Sequence, residues 1–164
     1  MISENVYSSC RPLVCTGGAP TSTSRPPAAP TRLVSGGMTP FQLQRLDHVS
    51  LNVSDRARSI AWYRDVLGLP LENEPRQDDW PAFLGEFGRC IGLFQAQAPA
   101  VERQAEAVGF RHLAFMVGKN DLERAQAHFD ESGVAFQFED HGNSHSVYLR
   151  DPDGHTIELT TYEL

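Results

Sequence analysis

Hydrophobic and polar residues alternate with a period of two through 46–53, again through 110–117, and on both sides of a turn at 151–154. Leu46-Asp-His-Val-Ser-Leu-Asn-Val53 reads as a half-buried strand, and Ser54-Asp55 after it is a helix N-cap signal. The period then becomes helical: Ile60, Tyr63 and Leu67 share a face, Gly68 is the expected stop, and Pro70 prevents a restart. Short strands are expected over 69–72, 80–87 and 89–95, followed by a polar, Ala-rich connection over 98–109. Phe110-Arg-His-Leu-Ala-Phe-Met-Val117 begins a second strand, a helix over 121–132 carries Leu122, Ala125 and Phe129 on one face, and Gly133 ends it. A strand over 134–138 precedes a hairpin closed by Asp151-Pro-Asp-Gly154, a residue set suited to a type I turn with a left-handed glycine. That turn pairs Leu149 with Ile157 and Tyr148 with Glu158. Val147, Leu149, Ile157 and Leu159 form its apolar face, and Ser146, Tyr148, Thr156, Glu158 and Thr160 its polar one.

The order strand, helix, three strands therefore occurs twice. His48 aligns with His112 at an offset of 64, Gly68 with Gly133 at 65, and Gly88 with Gly154 at 66, which is the signature of a duplication. Under this alignment Glu158 falls opposite Gly92. Three of the four equivalent positions thus carry metal-binding side chains: His48, His112 and Glu158. A lone strand histidine reads most simply as a core residue. Two imidazoles and one carboxylate at duplicated, cavity-facing positions instead have the composition of a facial triad, which leaves coordination positions open for a substrate.

Residues 1–43 are expected to form a disordered or extension-like tail, rich in Ser, Thr, Pro and Gly and too poor in apolar residues to offset ordering. A transit peptide is a weaker reading because no amphipathic Arg-bearing helix is evident, and Met38 is an alternative start. The rest divides into module 1 over 44–97, a linker over 98–109 and module 2 over 110–164. The formal charge of −7 argues against a nucleic-acid partner. No hydrophobic run is long enough to span a bilayer. Three cysteines, two of them in the tail, do not form a disulfide framework, so a cytoplasmic setting is expected.

The motifs Leu46-Asp-His48, Ile60-Ala-Trp-Tyr63 through Leu67-Gly68-Leu69, Phe110-Arg-His112 and Tyr148-Leu-Arg-Asp-Pro-Asp-Gly-His-Thr-Ile-Glu158 resemble the vicinal oxygen chelate superfamily, also called the glyoxalase/bleomycin-resistance/dioxygenase family. The resemblance covers about residues 44 to 164. It implies an α+β fold in which two tandem βαβββ modules form a curved, cup-shaped mixed sheet with helices outside. It also implies a divalent ion that chelates adjacent oxygens of a small substrate, and a homodimer. By position His48, His112 and Glu158 would be the ligands. Fe2+ is favoured, with Mn2+, Zn2+ or Ni2+ as alternatives.

Departures from the family narrow the activity. Glyoxalase I enzymes usually carry a fourth ligand where this chain has Gly92. Fosfomycin thiol transferases share the two-His, one-Glu pattern and a tyrosine matching Tyr148, but use a lysine-bearing loop that 138–143 does not supply. Ring-cleaving extradiol dioxygenases resemble the C-terminal end more closely. They have the tyrosine ten residues before the ligand Glu and a preceding His/Asn-bearing loop, here His141-Gly-Asn-Ser-His145. The lead expectation is a dioxygenase-like metal enzyme. A glyoxalase-type lyase or fosfomycin-type thiol transferase is the second, and a metal-free binding or resistance protein the third.

An open divalent ion lowers the pKa of a bound hydroxyl, easing formation of a catechol-like or enediol-like anion. Tyr148 can hydrogen-bond a substrate oxygen, and His141 or His145 can act as acid or base, against the plainer reading of both as solvated loop residues. Alternation places Ser50, Asn52, Phe94, Met116 and Ser146 on the cavity side as substrate-binding candidates. His128 and His155 are expected to be exposed, and Cys90 to be packing.

Overall fold

A computed structural model describes residues 44–73, 80–86, 88–99 and 108–164. The expected tail over 1–43 lies outside them, as does most of the expected linker.

The first module contains β1 (His48–Val53), α1 (Arg56–Leu67), β2 (Leu71–Asn73), β3 (Ala82–Leu84) and β4 (Cys90–Gln95). The second contains β5 (Leu113–Met116), α2 (Lys119–Ser132), β6 (Phe136–Asp140), β7 (His145–Arg150) and β8 (Thr156–Thr161). Helix α1 starts where the Asp55 carboxylate accepts the Arg58 N–H at 3.0 Å. It ends at Gly68, whose φ of 64° is the left-handed conformation that lets its N–H close on Arg64. Helix α2 begins two residues ahead of the expected Asp121. The Lys119 N–H is accepted at 2.9 Å by the carboxylate of Glu163, 44 residues away, so the cap that lengthens the helix has no local sequence signal.

The strands form two four-stranded mixed sheets of matching order, β1-β4-β3-β2 and β5-β8-β7-β6. In each module the first strand runs parallel to the fourth: Ser50 pairs with Gly92, and Ala114 with Glu158. The hairpin register is the expected one, with Tyr148 opposite Glu158 and Leu149 opposite Ile157. The α+β class and the two tandem βαβββ modules are as the sequence implies, each module contributing one four-stranded mixed sheet. Strands β1 and β5 are each outermost, and no strand pairing joins the two sheets among the described residues.

One hydrophobic core serves both modules. Leu51, Val53, Tyr63, Leu84, Ile91 and Leu93 pack in the same cluster as Leu122, Phe129, Val147, Leu149, Ile157 and Leu159. Each such side chain, fully buried, contributes about 1.5–3 kcal/mol. Because strand residues alternate, burial of Leu51 and Val53 turns His48, Ser50 and Asn52 to the opposite face.

The β7–β8 turn holds the modules together by gripping α1. The Asp151 carboxylate accepts hydrogen bonds from Tyr63 Oη (2.9 Å), the His155 ring (2.8 Å), and the backbone N–H groups of His155 (2.7 Å) and Asp153 (3.0 Å). The Asp153 carboxylate accepts from the Ser54 N–H at 3.1 Å, the Ser54 hydroxyl, and the Arg58 guanidinium at 3.3 Å. His155 is therefore buried rather than exposed, because the turn folds its ring back onto Asp151 four residues earlier. His128 is exposed as expected, with Nε2 3.1 Å from the Asp65 carbonyl of α1. Burial drives the Tyr63 phenol far above its usual range, with the Asp151 charge adding to the effect. Burial acts in the same upward sense on the Asp151 carboxyl. The hydrogen bonds and charge of His155, with the Tyr63 hydroxyl, outweigh it and hold that carboxyl below the ordinary range.

Candidate metal centre

Glu158 is the hub of the second module. It sits on β8, flanked by β5 and β7, and is buried. Its Oε1 accepts from the Ser146 hydroxyl at 2.7 Å and from Tyr148 Oη at 3.0 Å, while Oε2 lies 2.9 Å from His112 Nε2. Ser146 Oγ is also 3.0 Å from Thr160 Oγ1. Two ligand atoms bound at right angles to one ion through bonds of about 2.1 Å stand about 3.0 Å apart, so the His112–Glu158 spacing suits shared coordination. His141 joins the same row, with Nε2 3.2 Å from Tyr148 Oη. Since the phenol donates to Glu158, the imidazole N–H donates to the phenol oxygen. Burial, then the hydrogen bond and charge of Glu158, push the Tyr148 phenol above its usual range, so at neutral pH it is a donor.

The first module presents His48 at the start of β1. Its Nδ1 is 2.8 Å from the Asp47 carboxylate, which fixes the ring and leaves Nε2 outward. Phe83 meets the ring edge-on at 5.2 Å between centroids. Gly92 pairs with Ser50, and a Cβ there would come within 3.0 Å of Ser50 Oγ and 3.1 Å of the Phe83 ring. Neighbouring side chains thus fill the space beside Gly92. Asn52 is exposed and Phe94 half-buried, opposite each other on β1 and β4.

The remaining candidates divide by position. Ser146 is fully buried and its hydroxyl is committed to Glu158, so it orients the carboxylate. Met116 is 78 % exposed at the outer strand of its sheet. His145 packs on Phe138, with Nε2 3.7 Å from Asp140, and is not brought to Tyr148. Cys90 is buried.

The donor set fits a divalent ion. It consists of neutral-capable imidazoles, one orienting carboxylate behind His48, and a carboxylate whose second oxygen is held by hydroxyl donors. Within one chain, however, no three His, Cys, Asp or Glu side chains converge tightly enough to hold an ion among the described residues. His112 and Glu158 meet, while His48 stands on the other sheet.

Residues 45–159 match the Glyoxalase/Bleomycin resistance protein/Dioxygenase superfamily. The chain belongs to this superfamily. Among curated relatives it is similar to the glutathione transferase FosA of Serratia marcescens, at 29% identity over 71% of this chain and 80% of that one. It is also similar to the uncharacterized protein YaeR of Escherichia coli K12, at 33% identity over 71% of this chain and 95% of that one. With the catechol-2,3-dioxygenase of Bacillus subtilis it shares 28% identity over 70% of this chain but 40% of that longer protein. Among solved structures, the glyoxylase/bleomycin resistance protein/dioxygenase domain from Frankia sp. EAN1pec has the same fold, with a TM-score of 0.62 at 22% identity, covering 74% of this chain and 94% of that one. Members of such a superfamily differ in chemistry, so the activity has to be argued from the site.

Proposed function

We propose that this protein is a metal-dependent enzyme acting on a small substrate with two adjacent oxygens, most like a ring-cleaving dioxygenase. The observation that carries the reading is the continuous row His112–Glu158–Tyr148–His141, in which two metal-ligand types run directly into a phenol and an imidazole. His112 and Glu158 of one protomer would hold the ion together with His48. Because β1 and β5 each have an outer edge with no strand partner among the described residues, and the exposed Leu46, Phe110 and Met116 lie on or beside them, we assign that His48 to a second copy of the chain. When bound, the ion acidifies a chelating hydroxyl and draws the two substrate oxygens to fixed positions. The protein's own groups do the rest. Tyr148 presents a neutral phenol where oxygen charge develops, Ser146 keeps Glu158 from turning, and His141, with its N–H on the phenol oxygen, stands ready to give a proton through Tyr148. His145, on Phe138 and Asp140, has no such path.

The reading is tested by Tyr148→Phe with catechol-type substrates under air. Oxygen uptake is expected to fall by about 10²-fold, with bound metal unchanged. Full turnover, or a loss that merely tracks lost metal, contradicts it. A thiol transferase is the second reading, favoured by the similarity to FosA over 80% of that protein. It predicts glutathione-dependent turnover and no oxygen uptake.

A further inference from the structure

Strand β6 carries a carboxylate that the proposed chemistry does not use. The register pairs Gln137 with Tyr148 and Glu139 with Ser146, and so places Gln137 and Glu139 on the face that bears Tyr148, Ser146 and Glu158. Strand β6 lies at the edge of its sheet opposite β5, which puts Glu139 at the rim, two strands from Glu158, or roughly 10 Å along the sheet. Its side chain is half-exposed, and the Gln137 amide donates to Oε1 at 3.0 Å. That bond holds the carboxylate while leaving Oε2 directed along the face, where His141 Nε2 lies 3.7 Å away. The ion pair that Glu139 forms among the described residues is this one with His141, so no Lys or Arg neutralises it there.

A ring chelated at the ion by two adjacent oxygens would reach along this face past Tyr148, and a short arm on its far side would end at Glu139. We infer that Glu139 is a specificity-determining residue that selects vicinal-oxygen substrates bearing a protonated amine on that arm and disfavours those bearing a carboxylate. This rests on the metal-site reading above. Attraction of the ammonium and repulsion of the carboxylate are each worth a few-fold at a half-exposed position, and together give a preference of about tenfold.

The test is anaerobic titration calorimetry of the full chain loaded with Fe(II), using catechol, 4-(2-aminoethyl)catechol and 4-(carboxymethyl)catechol. The readout is the ratio of the two substituted affinities, which cancels any general effect on the site. The wild-type ratio is expected to favour the amine by about tenfold, Glu139→Gln to bring it within about threefold of unity, and Glu139→Arg to reverse it. A wild-type ratio near unity, or one that survives Glu139→Gln, overturns the inference while catechol binding leaves the metal-site reading standing. Failure of all three compounds to bind the loaded wild-type protein overturns that reading and the inference with it.

Discussion

Glu158→Gln is expected to lower divalent-metal affinity by at least about 100-fold while the protein keeps its fold. An amide retains one oxygen that can accept from Ser146 and Tyr148, so the hydrogen bonds that orient the side chain survive. The position now held by Oε2, 2.9 Å from His112 Nε2, would carry an NH2 group or a weaker uncharged donor atom. The charge that balances a dication is lost either way, and with it the contact that draws His112 into place. Metal analysis of protein purified without chelators, alongside circular dichroism, checks both halves of the expectation. Equal metal content in variant and wild type would remove Glu158 from the ligand set.

Asp151→Ala should cost about 3–5 kcal/mol of stability. The carboxylate side chain has no exposed surface and satisfies four donors from three residues, including the Tyr63 hydroxyl that ties α1 of one module to the turn of the other. Removing it leaves a buried phenol and a buried imidazole without their acceptor. The same carboxylate sets an acid limit. Its folded pKa is depressed, so the stability it contributes is fully present above the ordinary carboxylate range of about 4 and is lost as pH falls through the lower folded value. Urea melts at neutral pH measure the first effect. Melts repeated below about pH 4 should show wild type converging on Asp151→Asn. A neutral-pH loss under about 1 kcal/mol would mean that the two modules are held by the core alone.

Much of this arrangement is legible in the chain because turn chemistry and alternation act locally. Asp151-Pro-Asp-Gly154 dictates a register, and that register brings Tyr148 to Glu158, as the structure has it. The duplication likewise places Gly92 and Glu158 on equivalent strands. Contacts between distant segments left no such signal. The Glu163 cap on α2 depends on packing that no local pattern encodes. The two loop histidines illustrate the boundary. His141 and His145 flank Gly-Asn-Ser almost symmetrically, and sequence alone gives either an acid–base role. The turn breaks the symmetry: Gly142 takes a φ of 80°, its N–H bonds Asp140 at 2.7 Å, and the His141 N–H bonds the Ser144 carbonyl at 2.9 Å. His141 then falls beside Tyr148 and His145 beside Phe138. His155 shows the opposite error, a turn residue by sequence that the fold recruits to a buried carboxylate.

Metal retention in mixed dimers tests most directly whether one ion is held by His112 and Glu158 of one protomer and His48 of another. His48→Ala and Glu158→Gln proteins are each purified alone and also after unfolding and refolding together, then compared with wild type treated identically. Each variant alone should hold almost no metal. In the mixture half of the dimers pair unlike subunits, each such dimer contains one site with all three ligands, and about one quarter of wild-type metal should return. A mixture that stays as empty as its parents, or wild-type protein that retains no divalent metal, would contradict the shared centre.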